Sequence, residues 1–194
     1  MSWIDVFTAM LPEHLLLAGI LVLIGIETAW THPRGALAVS LVAVAAAAAA
    51  AAWLSVSGYN ATPFAGQFSV DPATGLAKAI VLALAVPVLL VSRDDFGDGP
   101  FYPLLLSSLY GFCLLLSAQS FLTLFLGLEL MSIPVYVLVL LAFRRPESAE
   151  AALKYLVLAG LRRRCSSWEF RSCTAAAARS RSTVSRPRST APIR

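Results

Sequence analysis

The chain reads as an all-α, polytopic membrane helix bundle of about six spans, and three observations carry that reading. It is 58% hydrophobic with a mean hydropathy of +0.76. Only 13% of its residues are charged, about half the ~25% usual in a soluble domain. Apolar stretches long enough to cross ~30 Å of hydrocarbon at ~1.5 Å per residue recur along it.

The spans fall at about Leu11–Trp30, Gly35–Val56, Pro72–Ser92, Pro100–Ser117 and Phe121–Phe143, with a sixth beginning near Ser148. The second contains the alanine run Ala45–Ala52. Alanine favours helix and permits close helix approach; a GC-rich genome also yields such runs by drift.

Loop charge orients the spans. His32-Pro33-Arg34 follows span one, Arg93 span three, and Arg144-Arg145 span five. The opposite loops, at Met1–Met10, Ser57–Ser69 and Ala118–Ser120, hold no Lys or Arg. The positive-inside rule then puts the N-terminus outside. Met1–Thr8 lacks the basic n-region of a cleaved signal peptide.

Charge also divides the chain at Gly160. Residues 1–160 hold 6 Lys/Arg and 10 Asp/Glu, net −4, and read as the transmembrane domain. Residues 161–194 hold 9 Arg and one Glu, net +8. Arg and Ser make up 16 of those last 34 residues. Three consecutive arginines, Arg162-Arg163-Arg164, fall where span six should reach mid-bilayer, at roughly 3 kcal/mol each. A shift of reading frame accounts for the change. Codons exist for residues 161–179 that, read two bases later, encode Ala-Ala-Ala-Leu-Leu-Val-Met-Gly-Val-Ser-Leu-Leu-Tyr-Gly-Gly-Ser-Gly-Thr. That string is an apolar helix ending in a glycine-rich turn. The tail is therefore expected to be non-native or disordered, and the chain a truncated product; the DNA across codons 155–170 tests this.

Two charges within spans point to function. Glu129 lies inside the fifth apolar run and Lys154 just inside the sixth. A charge at mid-bilayer costs roughly 2.5–3.5 kcal/mol, so such a residue is paired, faces protein, or carries ions. Glu129 lies ~12 Å deep from the outer end of its helix and Lys154 ~9 Å from the inner end of the next. In a ~30 Å core their levels differ by roughly 9 Å, within reach of extended side chains with one water. At ~4 Å and an effective dielectric near 20, such a pair is worth about 4 kcal/mol. A moving proton would perturb it. The pair also admits a purely structural role in orienting two helices. Pro134, five residues after Glu129, removes a backbone donor and bends the helix.

Other polar residues carry less. Glu27 and Lys78, near span ends, are expected to snorkel to the headgroups. Asp94, Asp95 and Asp98 read as a solvated loop. Tyr136 and Trp53 suit interfacial or packing positions, and Cys113 is expected to be buried and inert. Three cysteines and two histidines form neither a disulfide framework nor a metal site. There is no cysteine cluster and no dinucleotide glycine motif in the sequence.

The segments Phe121-Leu-Thr-Leu-Phe-Leu-Gly-Leu-Glu-Leu-Met-Ser-Ile-Pro-Val-Tyr-Val-Leu138 and Glu150-Ala-Ala-Leu-Lys-Tyr155 resemble the antiporter-like subunit N family of bacterial NADH-quinone oxidoreductase, respiratory complex I. The Gly-Leu-Glu-Leu-x-Ser-x-Pro-x-Tyr frame followed by Lys-Tyr is fairly specific. The resemblance covers residues 1–160, under half of a normal member. It implies a proton-translocating membrane subunit without a redox centre of its own, NADH and quinone being used by the assembled complex. It also implies partnership with other membrane subunits and the lipid bilayer, in the bacterial inner membrane, with no nucleic acid. Glu129 would then be the fifth-helix glutamate that modulates a neighbouring lysine, and Lys154 the early sixth-helix lysine; the main proton-carrying lysines of the family lie on later helices. Two other readings remain. One is a subunit of a multi-chain sodium/proton antiporter. The other is a membrane-anchored interaction protein whose basic tail binds acidic lipid or nucleic acid.

Overall fold

A computed structural model of the chain describes residues 3–29, 33–93, 100–141, 150, 153–158 and 160. The expectations for residues 161–194, for Asp94, Asp95 and Asp98 and for Arg144-Arg145 lie outside the described residues.

Five apolar helices form the bundle. These are α2 (Leu11–Ala29), α3 (Pro33–Val56), α4 (Pro72–Val91), α5 (Phe101–Leu116) and α6 (Phe121–Leu141). They match the first five spans read from hydropathy to within two or three residues at each end. Four are long and apolar enough to cross a membrane, and α5 is a shorter apolar helix. Residues 153–158 are helical, where the sixth span begins. All five lack a strong polar face, and their outward side chains are apolar. Leu21, Val42, Trp53, Leu84, Leu122 and Leu126 are all exposed, as a lipid-facing surface requires. Trp53 is thus turned outward, while Tyr136 is buried.

Helix α2 is central. It packs against α3 on one side and α5 on the other, with α4 beyond α3 and α6 against α5. The core comprises Leu16 and Leu23 of α2, Val44 and Ala47 of α3, Leu82 and Leu89 of α4, and Tyr102, Leu106 and Cys113 of α5. Small residues set the spacing. A Cβ on Gly75 of α4 would lie 3.1 Å from the Ala51 carbonyl oxygen and 3.2 Å from the Ser55 nitrogen of α3. The Ser55 hydroxyl donates to the Pro72 carbonyl at 2.9 Å and ties the same two helices. A Cβ on Gly111 of α5 would overlap the backbone of Leu130 and Met131 on α6. One on Gly127 would meet the Leu115 backbone at 3.0–3.1 Å. Backbone contact this close is what drives helix association where lipid supplies no hydrophobic force.

The loops without Lys or Arg carry structure that hydropathy does not reveal. A short helix α1 (Trp3–Ala9) precedes α2, and residues 57–71 form an antiparallel hairpin of β1 (Ala61–Phe64) and β2 (Phe68–Val70). Gly66, with φ 72°, makes its turn; few residues other than glycine adopt that backbone cheaply. The hairpin is tied to the α5–α6 turn. The Ser69 amide donates to the Ser117 carbonyl at 3.0 Å and the Gln119 amide to the Gln67 carbonyl at 2.8 Å. The Thr123 hydroxyl donates to Gln67 at 3.0 Å. Ser120 and Thr123 also cap α6 reciprocally, each side-chain oxygen accepting the other's amide at 3.1–3.2 Å. On the other flank the Tyr59 hydroxyl donates to the Asp5 carbonyl of α1 at 3.2 Å. One end of the bundle is thus covered by α1, the hairpin and the α5–α6 turn.

Candidate charge-coupling site

Glu129 sits mid-helix on α6, half-buried, two residues beyond the Gly127 contact with α5. Its local backbone is specialised. Pro134 has no amide to offer the Leu130 carbonyl four residues back. Neighbouring carbonyls take hydroxyls instead. Ser132 donates to the Glu129 carbonyl at 3.3 Å, and Ser108 of α5 donates to the Met131 carbonyl at 3.1 Å. This stretch is therefore held to α5 by side chains as well as by close packing.

Lys154 lies on the helical segment after α6. Its Nζ is 2.6 Å from Glu150 Oε1, one turn earlier on the same segment. Both side chains are exposed, at 70% and 66%. Tyr155, the next residue, packs edge-on against Tyr136 of α6, with ring centroids 5.6 Å apart. This contact fixes relative height. Glu129 lies seven residues before Tyr136, so it stands ~10 Å along α6 from the level of Lys154. The structure brings Lys154 together with Glu150, and its segment alongside the second half of α6. Leu153, Leu156, Val157 and Leu158 are exposed on that segment along with Lys154 and Tyr155.

A second charged pair is more deeply set. Lys78 of α4 donates from Nζ to Glu13 Oε1 of α2. Each residue is only 1% exposed. Lys78 therefore does not snorkel: its ammonium turns into the bundle, because a carboxylate waits there and because burial without a partner would be costly. Glu27, by contrast, is half-buried near the end of α2. Glu13 was not singled out by the sequence reading, although a signal existed. Glu13 is two residues into α2 and Lys78 six into α4. If both helices start on one side, opposite charges face each other at levels only ~6 Å apart. Cys113 is buried, as expected, and lies within electrostatic reach of both charges; Tyr110 lies within reach of Glu13.

Among the described residues no cluster of three or more His, Cys, Asp or Glu could hold a metal ion. The site sets charged pairs within an apolar helix bundle, the architecture of an integral membrane protein. The family model for the NADH:quinone oxidoreductase/Mrp antiporter transmembrane region matches residues 118–163, the stretch that holds Glu129 and Lys154. NADH-quinone oxidoreductase subunit N of Paraburkholderia phymatum is 35% identical over 166 residues, which is 79% of this chain and 33% of that protein. Subunit N of Neisseria gonorrhoeae is 37% identical over 175 residues, 83% of this chain and 35% of that protein. Among solved structures, a chain of respiratory complex I from Thermus thermophilus with bound aureothin superposes with a TM-score of 0.67 at 28% identity, over 77% of this chain and 33% of that one. The chain is thus similar to NADH-quinone oxidoreductase subunit N over about four-fifths of its length. It spans about a third of the length of the curated relatives it matches.

Proposed function

We propose that this chain is part of a proton-translocating membrane subunit of a bacterial NADH:quinone oxidoreductase. The observation that carries this is the 35–37% identity to subunit N across about four-fifths of the chain. Its partners are the other membrane subunits of that complex and the bilayer. NADH and quinone are handled by the assembly, and this chain binds no cofactor of its own. It lies in the inner membrane with the N-terminus outside, which puts the basic residues at 34, 93 and 144–145 in the cytoplasm.

In this reading Glu129 and Lys154 are the charge-coupling residues and Pro134 the bend between their levels. A proton arriving near one charge alters the electrostatic work of moving the other. That coupling is strong where hydrocarbon excludes water. Residues 161–194 are a frameshifted remnant of span six.

The second reading, a sodium/proton antiporter subunit, is favoured by the breadth of the matching family model, which covers both classes. One experiment separates them. Glu129→Gln is introduced into the complete subunit within the assembled complex, and NADH-driven proton uptake is followed in inverted membrane vesicles. Reduced uptake that is independent of sodium supports the oxidoreductase reading. Sodium-dependent uptake supports the antiporter, and wild-type uptake in the variant removes Glu129 from the coupling path.

A further inference from the structure

A serine or threonine inside a spanning helix commonly gives its hydroxyl proton to its own helix, three or four residues back. Thr28, Ser40 and Ser132 all do so here. Ser108 of α5 does not. Its hydroxyl donates at 3.1 Å to the Met131 carbonyl, in the middle of α6. Met131 lies three residues before Pro134, whose ring removes an amide from the ladder and crowds the preceding turn. A spanning helix interrupted in this way draws donors from neighbouring helices, since lipid supplies none. Gly111, one turn on from Ser108, makes the approach possible, because a Cβ there would overlap the Met131 amide nitrogen and the Leu130 carbonyl carbon. Beyond Pro134, α6 carries Tyr136, which is buried and packs edge-on against Tyr155, the neighbour of Lys154. The direction in which α6 leaves Pro134 therefore sets where that segment stands.

We propose that Ser108 is a positioning residue: its bond to the Met131 carbonyl fixes the direction of α6 beyond Pro134 and, through the Tyr136–Tyr155 contact, the level of Lys154 relative to Glu129. The bond falls between the two, since Glu129 precedes Met131 and Tyr136 follows it on α6. The first half of α6 is held independently. Gly127 lies against the Leu115 backbone, and Ser120 and Thr123 cap the helix start. Without the Ser108 hydroxyl, the Met131 carbonyl turns away from α5 toward whatever amide the interrupted ladder still offers. The half of α6 after Pro134 turns with it, while the half before stays in place. The role of Lys154 in coupling rests on the reading above; the positioning of its segment does not.

The full chain in lipid bilayers is labelled with carbon-13 at the methionine carbonyls and in the tyrosine rings. It holds three Met and five Tyr, so solid-state NMR can follow the Met131 carbonyl and the Tyr136–Tyr155 cross-peak, each assigned by its loss in Met131→Leu or Tyr155→Phe. Ser108→Ala removes one oxygen and favours helix, so the fold is kept. It should shift the Met131 signal and abolish the cross-peak. Ser108→Thr keeps a hydroxyl and should restore both, which a general loss of packing would not predict. A cross-peak that persists in Ser108→Ala overturns the proposal, because α6 then keeps its course without the bond. A Met131 signal that does not shift overturns it too. The same variants in the complete subunit of the assembled complex read the coupling. Fewer protons taken up per NADH oxidised in Ser108→Ala, at unchanged assembly, joins the positioning to function. If the cross-peak is lost and that ratio stays normal, the coupling role of Lys154 fails and the positioning by Ser108 stands.

Discussion

Lys78 Nζ donates to Glu13 Oε1 from α4 to α2, and both side chains are only 2% exposed. Two helices that flank α3 are thereby joined by charge inside an otherwise apolar bundle. Removing one partner leaves the other charge buried and uncompensated. Lys78→Met should therefore destabilise the chain by about 3–5 kcal/mol, whereas the double change Glu13→Gln/Lys78→Met should recover most of that loss. Thermal unfolding in mild detergent checks both. Equal losses in the single and double variants would show that the charges do not depend on each other.

Gly111 makes the α5–α6 contact possible, since any Cβ there overlaps the backbone of Leu130 and Met131. Gly111→Ala should force the helices apart and cost about 1–3 kcal/mol. Gly25→Ala, which meets nothing within 4 Å, should be neutral or slightly stabilising. The two variants compared by melting temperature give the test, with Gly25 as the control for helix propensity alone.

Thr123 serves two elements at once, capping α6 with Ser120 and holding the hairpin through the Gln67 carbonyl. Thr123→Val keeps the shape and removes both bonds. A loss of about 1–2 kcal/mol is expected, with faster amide exchange at Gln119, whose amide donates to the same carbonyl. Unchanged exchange there would mean that the hairpin does not depend on Thr123.

Glu150 and Lys154 separate stability from function. Their ion pair is exposed and joins residues one turn apart rather than two helices, so Glu150→Gln should change stability by less than about 0.5 kcal/mol. Lys154→Met, made in the complete subunit within the assembled complex, should lower proton uptake without lowering the amount of complex assembled. Normal uptake with normal assembly would remove Lys154 from the coupling path.

Much of the architecture was legible because bilayer thickness leaves few choices. An apolar run of about twenty residues becomes a spanning helix whatever its neighbours do. Leu11–Ala29, Pro72–Val91 and Phe121–Leu141 therefore appear in composition alone. Glu129 and Lys154 stood out for the same reason, as charges in a medium that expels them. The hairpin at residues 61–70 was not legible. Its strands are four and three residues long, too short for a clear alternation, and its bonds run to Ser117, Gln119 and Thr123, which only the folded chain brings near.

The sequence by itself determined that this is a polytopic membrane protein resembling subunit N, where its five apolar helices run, and that Glu129 and Lys154 are charges set within apolar runs. Lys78 shows what it could not decide. A lysine near the end of an apolar helix has two outlets, water at the headgroups or a buried carboxylate, and its own helix does not say which. Glu13 lies 65 positions earlier in the chain. The packing of α2, α3 and α4, set by small residues such as Gly75, chose between those outlets. The physical reason is that a spanning helix satisfies its backbone locally, while a buried charge is satisfied only by what other helices bring to it.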